Sequence, residues 1–158
     1  MNIKQLHTFI KHSNLIEDVH TEEAINDSME AWNYLKNVKI ITLRDVLNVH
    51  ALIMKNLNPN IAGQLRVENG DRVYVGNRFC PLPKESFDML LTWISQMNTL
   101  DFTEETTQLL HVRFEHTHPF SDGNGRTGRL FWLWSRVEGQ LPFKYIDIKD
   151  RYEYYDWF

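Results

Sequence analysis

His118, Asp122, Arg126 and Arg129 fall within one stretch, His118-Pro-Phe-Ser-Asp-Gly-Asn-Gly-Arg-Thr-Gly-Arg129. These residue types in this order suit phosphate chemistry with a base beside it. Gly123-Asn124-Gly125 can turn several backbone N–H groups toward one point, because glycine and asparagine accept left-handed backbone conformations that bulkier residues resist. The apolar run from Leu130 to Val137 reads as a buried helix, which would set that cradle at the helix's positive end. Arg126 and Arg129 are three apart, hence on neighbouring positions of one helical face, and both can address the same anion. Asp122 offers a hard oxygen ligand suited to Mg²⁺, the usual companion of a polyphosphate. His118 has the one side chain here whose ordinary pKa suits general base work near neutrality.

Every fixed position of this stretch matches the pattern His-x-Phe-x-Asp/Glu-Gly-Asn-Gly-Arg-x-x-Arg, so the chain resembles the Fic (filamentation induced by cAMP) family. The resemblance implies a mainly α fold, a helical bundle with a β-hairpin flap over the active site. It also implies a protein adenylyltransferase that moves AMP from ATP to a Ser, Thr or Tyr hydroxyl. His118 would be the base, and Asp122 would hold Mg²⁺, with Mn²⁺ as an alternative. Gly123, Asn124, Gly125, Arg126, Thr127, Gly128 and Arg129 would bind the nucleotide. Ser13-Asn-Leu-Ile-Glu17 is similar to the family's inhibitory motif, Ser/Thr-x-x-x-Glu-Gly/Asn, with Ser13 and Glu17 in its fixed places. Its position ahead of the core is that of the N-terminally self-inhibited class, in which Glu17 would pair with Arg129 and deny ATP its γ-phosphate site. Asp18 stands where Gly or Asn is expected, adding a charge at that junction.

The surrounding elements must position these groups. Residues 1–11 read as a helix or a partly ordered arm. Thr21 is a good N-cap for a helix to about Asn37, with Glu22 and Glu23 in its first turn and Ala24, Ile25, Met29, Trp32 and Leu35 facing inward. A second helix spans about Leu43 to Leu57, with Leu43, Leu47, His50, Leu52 and Met54 inward and His50 structural. Val67, Val73, Tyr74 and Val75 favour strand, and Asn69-Gly70 or Gly70-Asp71 suits a hairpin turn. This piece resembles the flap (residues 63–80), along which a target segment would lie by main-chain pairing. Val73, Tyr74, Val75 and Gly76 match the edge nearest the nucleotide. Helices are expected from about Glu85 to Met97, with Phe87, Leu90, Leu91 and Ile94 as the apolar face, and from Thr103 to about Thr117. His111 and Glu115 read as scaffold and His116 as exposed or peripheral. Leu130-Phe-Trp-Leu-Trp134 marks the central helix, and Gly139 its end. A last helix from Asp147 carries Tyr154 and Tyr155, which resemble the positions that enclose the nucleotide base.

At 158 residues, 42% hydrophobic and 13% aromatic, the chain suits a single domain with a real core, 1–158, of which 1–20 would be the inhibitory segment and 118–129 the catalytic loop and helix start. A net charge of −4 gives no basic footprint for nucleic acid. One cysteine, Cys80, excludes an internal disulfide and fits a reducing compartment. Neither a signal peptide nor a bilayer-long apolar run is evident, so a cytoplasmic protein with no membrane partner is expected. The expected partners are ATP and a target protein segment, with modification of the chain itself and a homo-oligomer left open. Three alternatives are carried: removal of AMP, transfer of another phosphate-containing group, and a catalytically silent binding module.

Overall fold

Three threonines start three of the helices. In the computed structural model, which describes residues 1–70, 72–75 and 78–158, Thr21, Thr42 and Thr103 each hold an extended backbone and accept the N–H three residues on. Such a cap satisfies one of the donors that a helix start leaves unpaired. The chain runs α1 (Ile3–Ile16), α2 (Glu22–Leu35), α3 (Leu43–Met54), α4 (Arg66–Asn69), β1 (Tyr74–Val75), β2 (Arg78–Phe79), α5 (Pro83–Met97), α6 (Glu104–Thr117), α7 (Asn124–Glu138), a 3₁₀ turn (Ile148–Asp150) and α8 (Arg151–Tyr155). None of the described helices is long and apolar enough to cross a membrane.

Helix α7 lies at the centre, with α1, α3 and α6 packed against it. Its residues Arg126 to Arg136 are all buried, as the all-round apolar run predicts. Trp132 and Trp134 belong to the core, and the Trp134 indole donates to Val38 O at 3.3 Å. On α5, Trp93 packs edge-on to Phe131 of α7 and donates to Leu110 O at 2.8 Å. Trp93 therefore takes the inward place, whereas Leu91, expected on the apolar face, is exposed. On α3 the inward positions are Val46, Val49, His50, Ile53 and Met54, and Leu43, Leu47 and Leu52 are only half-buried.

Of the two readings open for the first residues, helix is the one formed: Ile3 to Lys11 and Ser13 belong to one continuous helix, α1, opened by a capping box between Asn2 and Gln5. The hairpin is shorter and later than its sequence suggests. Val67 lies in the single turn α4, and Gly70, left-handed at φ 72°, closes that turn by donating to Arg66 O. Asn-Gly suits a hairpin turn and a helix terminus for the same reason, tolerance of positive φ, so the dipeptide alone does not choose between them. The strands pair antiparallel with Tyr74 opposite Phe79 and Val75 opposite Arg78, and the Tyr74 and Phe79 rings lie 4.1 Å apart, tilted by 40°. Gly76 lies outside the described residues.

Candidate functional site

The loop from His118 to Gly123 joins α6 to α7, and side chains from three other elements hold its main chain. His118 itself is left-handed (φ 46°) and closes α6 by donating its N–H to Phe114 O. Ser86 of α5 donates to Thr117 O at 2.6 Å, and Arg66 of α4 donates through Nε to His118 O at 2.6 Å. The Arg66 N–H reaches Pro119 O at 3.0 Å. Asn124 turns its amide back into the loop, accepting from Phe120 N and donating to Phe120 O. Gly63 N–H donates to His50 Nδ1, so His50 carries its proton on Nε2 and gives it to Asp122 O at 2.9 Å. His50 also stacks flat on Phe120 at 3.6 Å. Five consecutive or near-consecutive carbonyls are thus fixed from outside the loop. Such fixing suits a site whose geometry must not drift.

Gly123 adopts φ 78° and stands against α3, where a Cβ would come within 2.7 Å of Met54 Sδ. It opens α7, whose first residues line a cleft of about 1520 Å³. That cleft is lined by Glu17, Val73, Tyr74, Val75, Glu115 and His118 among others, and by Asp122, Gly123, Asn124, Gly125, Arg129, Tyr154 and Tyr155. The expected base, cradle, flap edge and tyrosines therefore share one cavity. Thr127 and Gly128 do not line it; they are buried in α7, with Gly128 against Glu115 and Phe114.

His118 Nδ1 lies 3.3 Å from Glu115 O, an atom that can only accept, so the proton sits on Nδ1 and Nε2 is free to receive one. Burial, reinforced by the Arg66 charge, pushes the His118 pKa down to about 4, against the opposing pull of Glu115 O, Glu17 and Asp122. The ring is therefore neutral at pH 7, as a base must be.

Arg129 is buried and reaches from α7 to the end of α1. Its Nε donates to Ser13 Oγ at 2.9 Å and its Nη2 to Ser13 O at 2.9 Å and Glu17 Oε1 at 2.6 Å. The remaining arm, Nη1, donates to Tyr154 OH at 3.0 Å. The tyrosine hydroxyl also shares a hydrogen bond with His111 Nε2, 2.9 Å away. Burial holds His111 down at about 3 and raises Glu115 to about 8, so both are uncharged near neutrality. Tyr154 is consequently anchored to Arg129, while Tyr155 stands partly exposed and donates to Ile16 O at 3.2 Å. A Cβ on Gly125 would overlap the Glu17 carboxylate, so this glycine provides the space in which Glu17 sits.

Asp18 has φ 55°, the left-handed conformation that glycine and asparagine adopt most readily and aspartate tolerates. Its N–H still bonds to Leu15 O, and its carboxylate meets Arg151 at 3.0 Å. The departure from Gly or Asn leaves the end of α1 seated.

Arg126 differs from its expected arrangement. It faces α3, with Nη2 at 3.4 Å from Met54 Sδ and 3.7 Å from Asp122 Oδ1, while Arg129 faces α1. Three residues of helix leave the two Cβ directions only about 60° apart, so it is the packing of α3 on one side and α1 on the other that draws these long side chains to different neighbours. Its Nε and Nη1 are buried and have no hydrogen-bond partner among the described residues. Buried donors of this kind call for a further acceptor, which an anion or a water supplies.

Asp122 is exposed at the mouth, with Oδ1 accepting its neighbour Gly123 N–H at 2.6 Å. Among the described residues no cluster of three His, Cys, Asp or Glu could form a protein-only metal cage. One carboxylate beside an anion cradle instead fits Mg²⁺, which takes one or two carboxylates and completes its shell with water and substrate phosphate. Sequence reasoning missed Arg66 and Ser86, and treated His50 only as structural. Their partners lie 31 to 72 positions along the chain, where no local pattern can signal them.

The sequence profile of the Fic/DOC family matches residues 40–135. The protein adenylyltransferase Fic of Aedes aegypti is 31% identical over 121 residues, and the protein adenylyltransferase fic-1 of Caenorhabditis elegans is 32% identical over 120. These alignments cover 74% and 73% of this chain but only 24% and 23% of those proteins, so the chain spans about a quarter of their length. Among solved structures, Fic-1 from C. elegans aligns over 97% of this chain and 54% of its own, with a TM-score of 0.74 at 22% identity. A Fic domain containing signaling protein from Bacteroides thetaiotaomicron aligns over 97% of this chain and 70% of its own, with a TM-score of 0.80 at 19% identity. With the motif, the helical fold and these alignments in agreement, the chain belongs to the Fic/DOC family.

Proposed function

We propose that this chain is a protein adenylyltransferase module, held back by Glu17. The observation that carries the reading is the meeting, in one cleft, of a neutral His118 with a free Nε2, the N-terminal amides of α7, Asp122 and Arg129. His118 Nε2 would accept the proton of a target hydroxyl as its oxygen bonds to the α-phosphorus of ATP. The bond from that phosphorus to the bridging oxygen would break, and pyrophosphate would leave toward the cradle. Mg²⁺ held by Asp122 would neutralise charge on the phosphates. The amides of Gly123, Asn124 and Gly125 and the guanidinium groups of Arg126 and Arg129 would bind the phosphates, stabilising charge as it develops.

The target segment would pair along Val73 to Val75 at the start of the hairpin, and Tyr155 would flank the base. Residues 1–20 would inhibit, because Glu17 takes a hydrogen of Arg129 Nη2 that a γ-phosphate would need. The direct test uses ATP labelled at the α-phosphate, with Mg²⁺, on wild type, Glu17→Gly and His118→Ala. Protein-bound label in Glu17→Gly that disappears with an added His118→Ala is the expected result. Absence of label in well-folded Glu17→Gly, on the chain itself and in a lysate, overturns the reading.

A further inference from the structure

Arg66 is remote in sequence from the motif and carries no role in the phosphate chemistry, yet it is 1% exposed and two of its guanidinium nitrogens are engaged by main-chain carbonyls. Its Nε donates to His118 O and its Nη2 to Pro81 O, both at 2.6 Å. Its own N–H donates to Pro119 O at 3.0 Å. Pro81 is the exit of the hairpin that begins at β1, and His118 and Pro119 are the entry to the loop. One planar fork thus joins the flap to the residue that would take the proton. The fork is fixed in angle as well as distance, because Nε and Nη2 lie in one guanidinium plane. His118 needs such support. It is a non-glycine residue at φ 46°, a conformation kept only where the surroundings hold it.

We propose that Arg66 is a positioning residue, whose guanidinium holds the main chain of His118 and the exit of the flap in one register, so that the imidazole meets a hydroxyl presented by a segment lying on the hairpin. This rests on the AMP-transfer reading. The charge of Arg66 has a second consequence at the same place. It opposes protonation of the His118 ring, together with burial and against Glu115 O, Glu17 of the α1 terminus and Asp122 of the loop. Arg66 thereby acts on both the place of the base and its readiness, without touching ATP or the target.

The test uses the full chain carrying Glu17→Gly, alone and with Arg66→Lys or Arg66→Met. Lysine keeps the charge but loses the fork, and methionine loses both. AMP transfer, ATP affinity by calorimetry, thermal unfolding and the NMR titration of the His118 ring are measured on each. Both variants are expected to lose roughly tenfold to a hundredfold in kcat while ATP affinity stays within about twofold, because the reacting groups are misplaced and the phosphate site is not. Arg66→Met is also expected to raise the His118 titration midpoint, and the acid limb of kcat/KM with it, toward its ordinary value of about 6.5, whereas Arg66→Lys leaves it near the parent value.

Unchanged kcat in both variants overturns the proposal. So does a loss that follows ATP affinity or the unfolding temperature, and so does failure of both to fold, which would make Arg66 a stabilising residue only. If the Glu17→Gly parent transfers no AMP, it is the functional reading that has failed. The NMR titration then decides the case for Arg66 by itself, and a midpoint unmoved in Arg66→Met overturns it.

Discussion

Arg129 Nη2 donates to Glu17 Oε1 across 2.6 Å, joining the end of α1 to the second turn of α7. The two residues are 112 positions apart, and Arg129 is almost wholly buried while the Glu17 side chain is 32% exposed. Replacement of Glu17 therefore frees one N–H of a guanidinium that Ser13 and Tyr154 continue to hold in place. Glu17→Gly is expected to raise AMP transfer by at least about tenfold and to lower folding stability by about 1–3 kcal/mol, the value of a hydrogen bond to a charged partner. Labelled-ATP transfer and urea unfolding measure the two effects. An unchanged or lower rate removes Glu17 from the inhibitory role.

His118→Ala in the Glu17→Gly background is expected to lower AMP transfer by about 10²–10⁴-fold, the usual contribution of a positioned base. ATP affinity is expected to change little, since the cradle and Arg129 are untouched. Calorimetry beside the rate assay separates the two. Retained transfer would dismiss the base assignment.

Gly125→Ala presents a contrast with Glu17→Gly. A Cβ at Gly125 overlaps the Glu17 carboxylate and comes within 2.9 Å of Arg129 Nη1. The substitution should displace Glu17, as its removal does, yet also narrow the space for phosphate. The expected result is no gain in transfer, with ATP affinity at least about tenfold below that of Glu17→Gly by calorimetry, because a one-atom intrusion removes the close approach that the amides need. A gain equal to that of Glu17→Gly would show that the cradle does not receive phosphate at this point.

The pH dependence of stability follows from four buried groups. His50 and His118 are held down at about 4 and His111 at about 3, in each case first by burial. Their contribution is complete above about 6.5, and it is lost as pH falls through 6.5 toward the folded-state values. Glu115, pushed up to about 8 by burial, acts in the other direction. Its contribution is complete below about 4.5 and declines as pH rises toward 8. These groups together place the stability maximum near pH 6.5. Each changes stability by about 1.4 kcal/mol per pH unit within its window. Urea unfolding from pH 4 to 9 should show the maximum, and Glu115→Gln should abolish the decline between 6.5 and 8. A decline that survives in Glu115→Gln would rule out Glu115 as its source.

Much of the site was legible because it is local. His118 to Arg129 are contiguous, and a left-handed glycine, a helix start and a base can be read from neighbouring residue types alone. The caps at Thr21 and Thr103 and the central place of α7 follow from the same short-range rules. The choice of Trp93 over Leu91 as the inward residue of α5 was not legible, because both are apolar and only the position of Phe131 and Leu110 decides between them. Asn69-Gly70 could close a helix or turn a hairpin, and the buried Arg66 at the start of that turn selected the helix.

The sequence by itself determined which chemistry this chain can hold: a base, an anion cradle, a hard carboxylate and two arginines in fixed order. The tertiary structure decided how they are held. It sent Arg126 toward Met54 and Arg129 toward Glu17, committed Tyr154 to Arg129, and brought His50, Arg66 and Ser86 to the carbonyls of the loop. Those partners meet only when helices separated by 25 to 112 residues pack together, and a buried polar group takes whichever partner packing places within reach.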